Sequence, residues 1–95
     1  MGYVDRKVSV IIPVYNAEDY LEDSLGDMLS QTYSDFEVIC VNDGSTDNSE
    51  AIIEDFCRKD ARIKLVSQSN CGGGAARNKG YDHSNGDYIL FFGCR

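Results

Sequence analysis

Four short apolar runs alternate with three stretches of helical periodicity along this chain, and that alternation restricts the possible folds more than any other feature. Val8-Ser9-Val10-Ile11-Ile12-Pro13-Val14, Phe36-Glu37-Val38-Ile39-Cys40-Val41, Ile63-Lys64-Leu65-Val66-Ser67 and Tyr88-Ile89-Leu90-Phe91-Phe92 read as strands. The first is β-branched almost throughout and ends at a proline, which fits a central strand buried on both faces. After Asn16, the predicted N-cap, Tyr20, Leu21, Leu25, Met28 and Leu29 share one helical face. Ala51, Ile52, Ile53 and Phe56 supply the buried side of a second helix, and a third runs through Ala75, Ala76, Lys79 and Tyr81. A β-α-β-α-β-α-β order with short connections implies right-handed crossovers and helices on both faces of a sheet. The predicted fold is therefore Rossmann-like, a three-layer α/β/α arrangement with a mainly parallel sheet, in a single domain over residues 1–95.

Charge and cysteine placement narrow the function classes. A net charge of −7 argues against neutralising a phosphate backbone, so no nucleic-acid partner is expected. Glu18, Asp19, Glu22, Asp23 and Asp27 fall mainly off the apolar face of their helix and concentrate toward its first turns, where the helix dipole favours carboxylates, so they read as a solvated face. Cys40, Cys57, Cys71 and Cys94 form no C-x-x-C pair, which fits reduced thiols in a cytoplasmic protein. His83 has no Cys or His at metal-site spacing and reads as a helix-surface residue. No apolar run reaches the roughly 18 residues of a membrane span, and no apolar signal region precedes Lys7.

In an open parallel sheet, ligands bind beyond the carboxyl ends of the strands. Tyr15 and Asn16 follow the first strand, where an aromatic face could stack on a base while backbone groups of Pro13 and Val14 pair with its edge. The same residues also suit strand-end packing and a helix cap. Asp43 follows the second strand within a predicted loop from Asn42 to Asp47. It could accept a base imide N–H, with Gly44 allowing close backbone approach, or form an Asx-turn while Ser45 and Asp47 cap the next helix. Gly72-Gly73-Gly74 expose backbone N–H groups at a helix start, with Arg77 and Lys79 following, which suits a diphosphate and equally suits a flexible loop.

Taken together, V-S-V-I-I-P-V-Y-N from Val8 to Asn16, V-N-D-G-S-T-D from Val41 to Asp47 and A-A-R-N-K-G from Ala75 to Gly80 resemble family 2 glycosyltransferases of the GT-A fold. Gln31-Thr32-Tyr33 and Gly86-Asp87-Tyr88-Ile89 extend the match. The resemblance implies a nucleotide-diphospho-sugar donor such as a UDP-sugar, a bound Mg2+ or Mn2+, and sugar transfer with inversion, in cell-wall or polysaccharide assembly. It places Pro13, Val14 and Tyr15 in the base pocket, has Asp43 hold the base, and sets Arg77 or Lys79 toward the diphosphate, with Asn16 and Gly44 completing the expected nucleotide-sugar-binding set.

The resemblance also implies an acidic D-x-D element after the fourth strand, to hold the metal. Gly93-Cys94-Arg95 stand there instead. The expectation is therefore a truncated donor-binding half that is inactive by itself, with no metal ligand of its own. No residue of the chain is assigned a catalytic role, because the family's base, a carboxylate that deprotonates the acceptor hydroxyl, would lie in the second half. The alternative is a structural module that pairs with a second copy through an exposed sheet edge. A dinucleotide-binding domain is excluded, since Tyr15-Asn16-Ala17-Glu18-Asp19 replaces the required G-x-G-x-x-G.

Overall fold

The computed structural model describes residues 7–30, 35–69, 72–86 and 88–91. Seven elements follow in order: β1 (Val8–Val14), α1 (Glu18–Leu29), β2 (Phe36–Asp43), α2 (Ser49–Lys59), β3 (Ile63–Gln68), α3 (Gly73–Asp82) and β4 (Tyr88–Phe91). The four strands make one sheet in the order β3-β2-β1-β4. All three pairings are parallel, with Val8 opposite Phe36, Val38 opposite Ile63, and Val8 opposite Tyr88. The expected three-layer α/β architecture is the one observed.

Strand order accounts for the layering. Two successive right-handed crossovers step the chain from β1 to β2 to β3, which puts α1 and α2 on one face. The third crossover reverses direction to reach the free edge of β1, so α3 lies on the opposite face. Side chains alternate accordingly. Val10, Ile12, Val14, Val38, Cys40 and Ile63 join Leu21, Leu25 and Ile53 in the larger core, and Ile11, Ile39 and Val41 meet Ala76 of α3 in the smaller one.

The two cores are closed by different means. α1 and α2 bury branched side chains at the 3.6-residue apolar period, but Tyr20 and Ala51, expected on the buried sides, lie at the margins of those faces and are exposed. Among the described residues of α3, Ala76 and Gly80 are the buried ones, so small residues bring the helix backbone close to β1. A Cβ at Gly80 would collide with the Ile11 side chain. Three of the ten α3 residues are glycine, each costing a helix about 1 kcal/mol relative to alanine. α3 is therefore a weak helix by its own sequence and depends on attachments at its ends.

Two boundaries differ from expectation. Asn42 and Asp43 belong to β2 rather than to the following loop, because Ser67 and Gln68 of β3 extend the ladder past Val41. The α1 N-cap position is Ala17, not Asn16. Asn16 has φ 49°, a left-handed conformation that Asn tolerates better than most residues, and this turns its side chain away from α1. Phe92 of the predicted fourth strand, Gln31-Thr32-Tyr33, Cys71 and the segment 93–95 lie outside the described residues.

Candidate functional site

The carboxyl ends of β1, β2 and β3 bring three loops together, and Asp43 is at their centre. Its side chain is fully buried. One oxygen accepts the Gln68 side-chain N–H at 2.9 Å and the other accepts the Gly72 backbone N–H at 2.9 Å. A carboxylate in such a place requires donors, since an unpaired buried charge costs several kcal/mol. These contacts fix the glycine turn and the start of α3 beside the end of β2. Gly44, at φ 73°, turns the chain sharply just after the carboxylate.

A second network ties the loop after β1 to the loop after β2. The Asn16 N–H donates to Ser45 Oγ at 3.0 Å, while Asn16 Oδ1 accepts the Thr46 backbone N–H at 2.7 Å. Asp47 serves two helices at once: Oδ1 accepts the Ser49 N–H of α2 at 2.9 Å and Oδ2 accepts the Glu18 N–H of α1 at 3.2 Å. The Ala17 N–H goes to Ser49 Oγ at 2.8 Å. Burial pushes the Asp47 carboxyl up, but hydrogen bonds from Ser49 and the Glu18 amide outweigh it and hold the group below the usual aspartate range. The first turn of α1 is thus capped by residues about 30 positions away, which explains why Asn16 need not cap it. The Asx-turn in this loop is made by Asn42, whose Oδ1 accepts the Ser45 N–H at 3.2 Å, and not by Asp43.

The other candidate residues fall into separate places. Val14 is fully buried in the larger core, so only its backbone lies at the strand end. Pro13 is also buried, Tyr15 is half-buried and Asn16 is exposed. Arg77 and Lys79 are both exposed on α3, but Lys79 is in its last turn. At 1.5 Å per residue, Lys79 lies about 9 Å along the axis from Gly73 and Arg77 about 6 Å. His83 is exposed at the end of α3. Cys40 is buried and Cys57 half-buried, and neither is in a disulfide among the described residues. Among the described residues, no three His, Cys, Asp or Glu side chains gather as metal ligands. No helix of the described residues is long and apolar enough to cross a membrane.

Glu37 was not among the expected functional residues. Its side chain is 3 % exposed, at the amino end of β2. It accepts hydrogen bonds from Ser9 Oγ, from Lys64 Nζ at 2.9 Å and from the Asn85 backbone N–H at 2.7 Å. The signal was present in the sequence: a glutamate inside an apolar run that is buried on both faces must be paired.

Comparison with known proteins agrees with this fold. The family model described as Glycosyl transferase family 2 matches residues 9–94. Glycosyltransferase GlyA of Streptococcus pneumoniae is 47% identical over 88 residues, which are 93% of this chain and 13% of that protein. The structure of S. aureus TarS 1-349 in complex with UDP superposes with a TM-score of 0.85 at 34% identity, covering 93% of this chain and 27% of that one. A mannosyltransferase from Pyrobaculum calidifontis, in complex with GDP-Man and Mn2+, shares the fold with a TM-score of 0.88 at 24% identity, covering 96% of this chain and 28% of that one. The chain spans between 12% and 34% of the length of curated relatives such as GlyA.

Proposed function

The chain belongs to glycosyl transferase family 2, and from that membership we propose that it is the donor-binding portion of such an enzyme. The ligand is a nucleotide-diphospho-sugar, such as a UDP-sugar, seated at the carboxyl ends of β1, β2 and β3. The observation that carries this reading is Asp43, a buried carboxylate held at a strand end beside a glycine turn.

Each group has a task in the proposal. Tyr15 stacks on the base, the backbone at Pro13 and Val14 meets its edge, and Asp43 accepts its imide N–H. Gly44 leaves room for the ligand to approach the backbone. The backbone N–H groups at the start of α3 and the Arg77 guanidinium receive the diphosphate, with Lys79 contributing longer-range charge. Asn16 takes a supporting part, holding the loops after β1 and β2 in register. A divalent ion such as Mg2+ or Mn2+ would offset charge on the departing diphosphate. No described residue is assigned to hold it. Transfer to an acceptor hydroxyl, with inversion, is the reaction we propose for the full-length enzymes of the family, and the 95 residues alone are proposed to bind donor without turning it over. Cell-wall or polysaccharide assembly is the proposed setting.

Calorimetric titration of the chain with UDP tests the reading. Binding that disappears in Asp43→Ala supports it, and a folded wild-type chain that does not bind UDP overturns it.

A second reading rests on β4. This strand forms one edge of the sheet among the described residues, and Tyr88, Leu90 and Phe91 are 51%, 57% and 54% exposed. Edge strands with apolar exposure favour pairing with another copy of the chain. Sedimentation at rising concentration would show a dimer that Leu90→Lys abolishes; a monomer throughout would remove this reading.

A further inference from the structure

Two buried carboxylates face α3 from opposite ends of one strand, and only Asp43 belongs to the candidate donor site. Glu37, Ile39, Val41 and Asp43 alternate onto the face of β2 that α3 covers. Asp43 takes the N–H of Gly72, the residue just before α3. Glu37 takes the N–H of Asn85, three residues after α3 ends. The next N–H, from Gly86, donates to Ser9 Oγ at 2.7 Å, and the Ser9 hydroxyl in turn donates to Glu37. A Cβ at Gly86 would lie within 2.6 Å of the Ser9 backbone nitrogen, so this turn is seated directly on β1.

α3 has few other means of staying in place. Among its described residues Ala76 and Gly80 are the buried ones, and no side chain of its own caps its first turn. α1, by contrast, buries Leu21 and Leu25, so its position follows from apolar packing. The carboxylates fix both flanks of a helix whose middle is held only by small residues.

We propose that Asp43 and Glu37 form a two-ended clamp on α3, and that Glu37 is a positioning residue for the donor site at the far end of the sheet. The positioning role rests on the donor-site reading given above; the clamp does not. Glu37 touches no ligand. It fixes the turn at Asn85 and Gly86, hence the end of α3 and the start of β4, and so sets the pose of the helix whose first turn receives the diphosphate.

Amide hydrogen exchange by NMR on the 95-residue chain tests the clamp without any ligand. In Glu37→Gln, and in the milder Ser9→Ala, amides of α3 and of Asn85 and Gly86 exchange about ten-fold faster relative to those of β1 and β2. Leu25→Ala, which weakens the opposite core, provides the pattern of a general loss. Uniform acceleration in Glu37→Gln, or unchanged exchange in α3, overturns the clamp.

Titration with UDP and with uridine tests the positioning role. Glu37→Gln weakens UDP about ten-fold and uridine less than about two-fold, because the base contacts come from β1 and β2 whereas the diphosphate contacts come from α3 itself. Equal weakening of both, or no weakening of UDP, overturns that role. A wild-type chain that binds neither ligand removes the donor-site reading and the positioning role with it, while the exchange pattern still decides the clamp.

Discussion

The Asp43 carboxylate accepts the Gly72 backbone N–H at 2.9 Å, so the end of β2 and the start of α3 are joined by one charged hydrogen bond. Any ligand that engages this carboxylate does so beside the glycine turn. Replacing Asp43 should therefore affect both binding and fold.

Asp43→Ala leaves the Gln68 and Gly72 donors without their acceptor, which should lower stability by about 2 to 4 kcal/mol. Asp43→Asn keeps one acceptor oxygen and should lose less. Thermal unfolding checks the order, and UDP titration should show both variants weakened by at least about ten-fold, or about 1.4 kcal/mol.

Acidification should reveal Glu37. Burial pushes its carboxyl up, but hydrogen bonds from Ser9, Lys64 and Asn85, with the Lys64 charge, outweigh it and bring the group from 4.5 down to about 2. A carboxyl lowered in the fold contributes stability that is complete above its unfolded value and is lost as pH falls through the folded one. The contribution is roughly 3 kcal/mol above pH 4.5 and disappears toward pH 2. Asp47 and Asp60 are also lowered and weaken the fold over the same acidic range. The difference between wild type and Glu37→Gln in denaturant melts should therefore shrink from pH 5 to pH 2.

Asp47→Ala should cost about 1 to 2 kcal/mol, since one carboxylate caps α2 and also bonds the first residue of α1. Asn48→Ala should be nearly neutral although Asn48 occupies the N-cap position of α2, because its side chain makes no cap bond there. Paired thermal melts separate the two.

Gly80→Ala improves helix propensity and should still destabilise, by about 1 to 3 kcal/mol, because the new methyl group meets Ile11. Chemical denaturation provides the measurement, and a stabilised variant would show that α3 can shift freely on the sheet.

Arg77→Ala should weaken UDP more than uridine, by about three- to ten-fold in the ratio, since one charge-assisted phosphate contact is removed. Lys79→Ala should change the ratio less, because Lys79 lies in the last turn of α3. Parallel titrations of both variants check this.

Much of the architecture was legible because it depends on local pattern. β1 spans the seven residues of the β-branched run, and Leu21 and Leu25 face the core as their spacing implies. What escaped depends on contacts between distant segments. β2 continues through Asn42 and Asp43 only because β3 lies alongside, and turn-forming side chains hid that continuation. Asn16 resembled a cap by type and position, but Asp47 of the loop after β2 and Ser49 at the start of α2 supply the first N–H partners at the head of α1. At the candidate site, Asp43 was recognisable by residue type and strand-end position. Its partners Gln68 and Gly72 could be known only once β3 and α3 were placed.

The hydrogen bond from Gly86 to Ser9 spans 77 positions of sequence. A contact of that span closes a long loop of chain, so its entropy must be met before any local gain in β4 is realised. β1, β2 and β3, joined by crossovers between neighbours, can assemble first, and β4 then docks on the exposed side of β1. The Ser9 and Glu37 acceptors would wait in that partly built sheet for the turn that reaches them last, so the speed of this final docking governs how long the open edge of β1 is available to wrong partners.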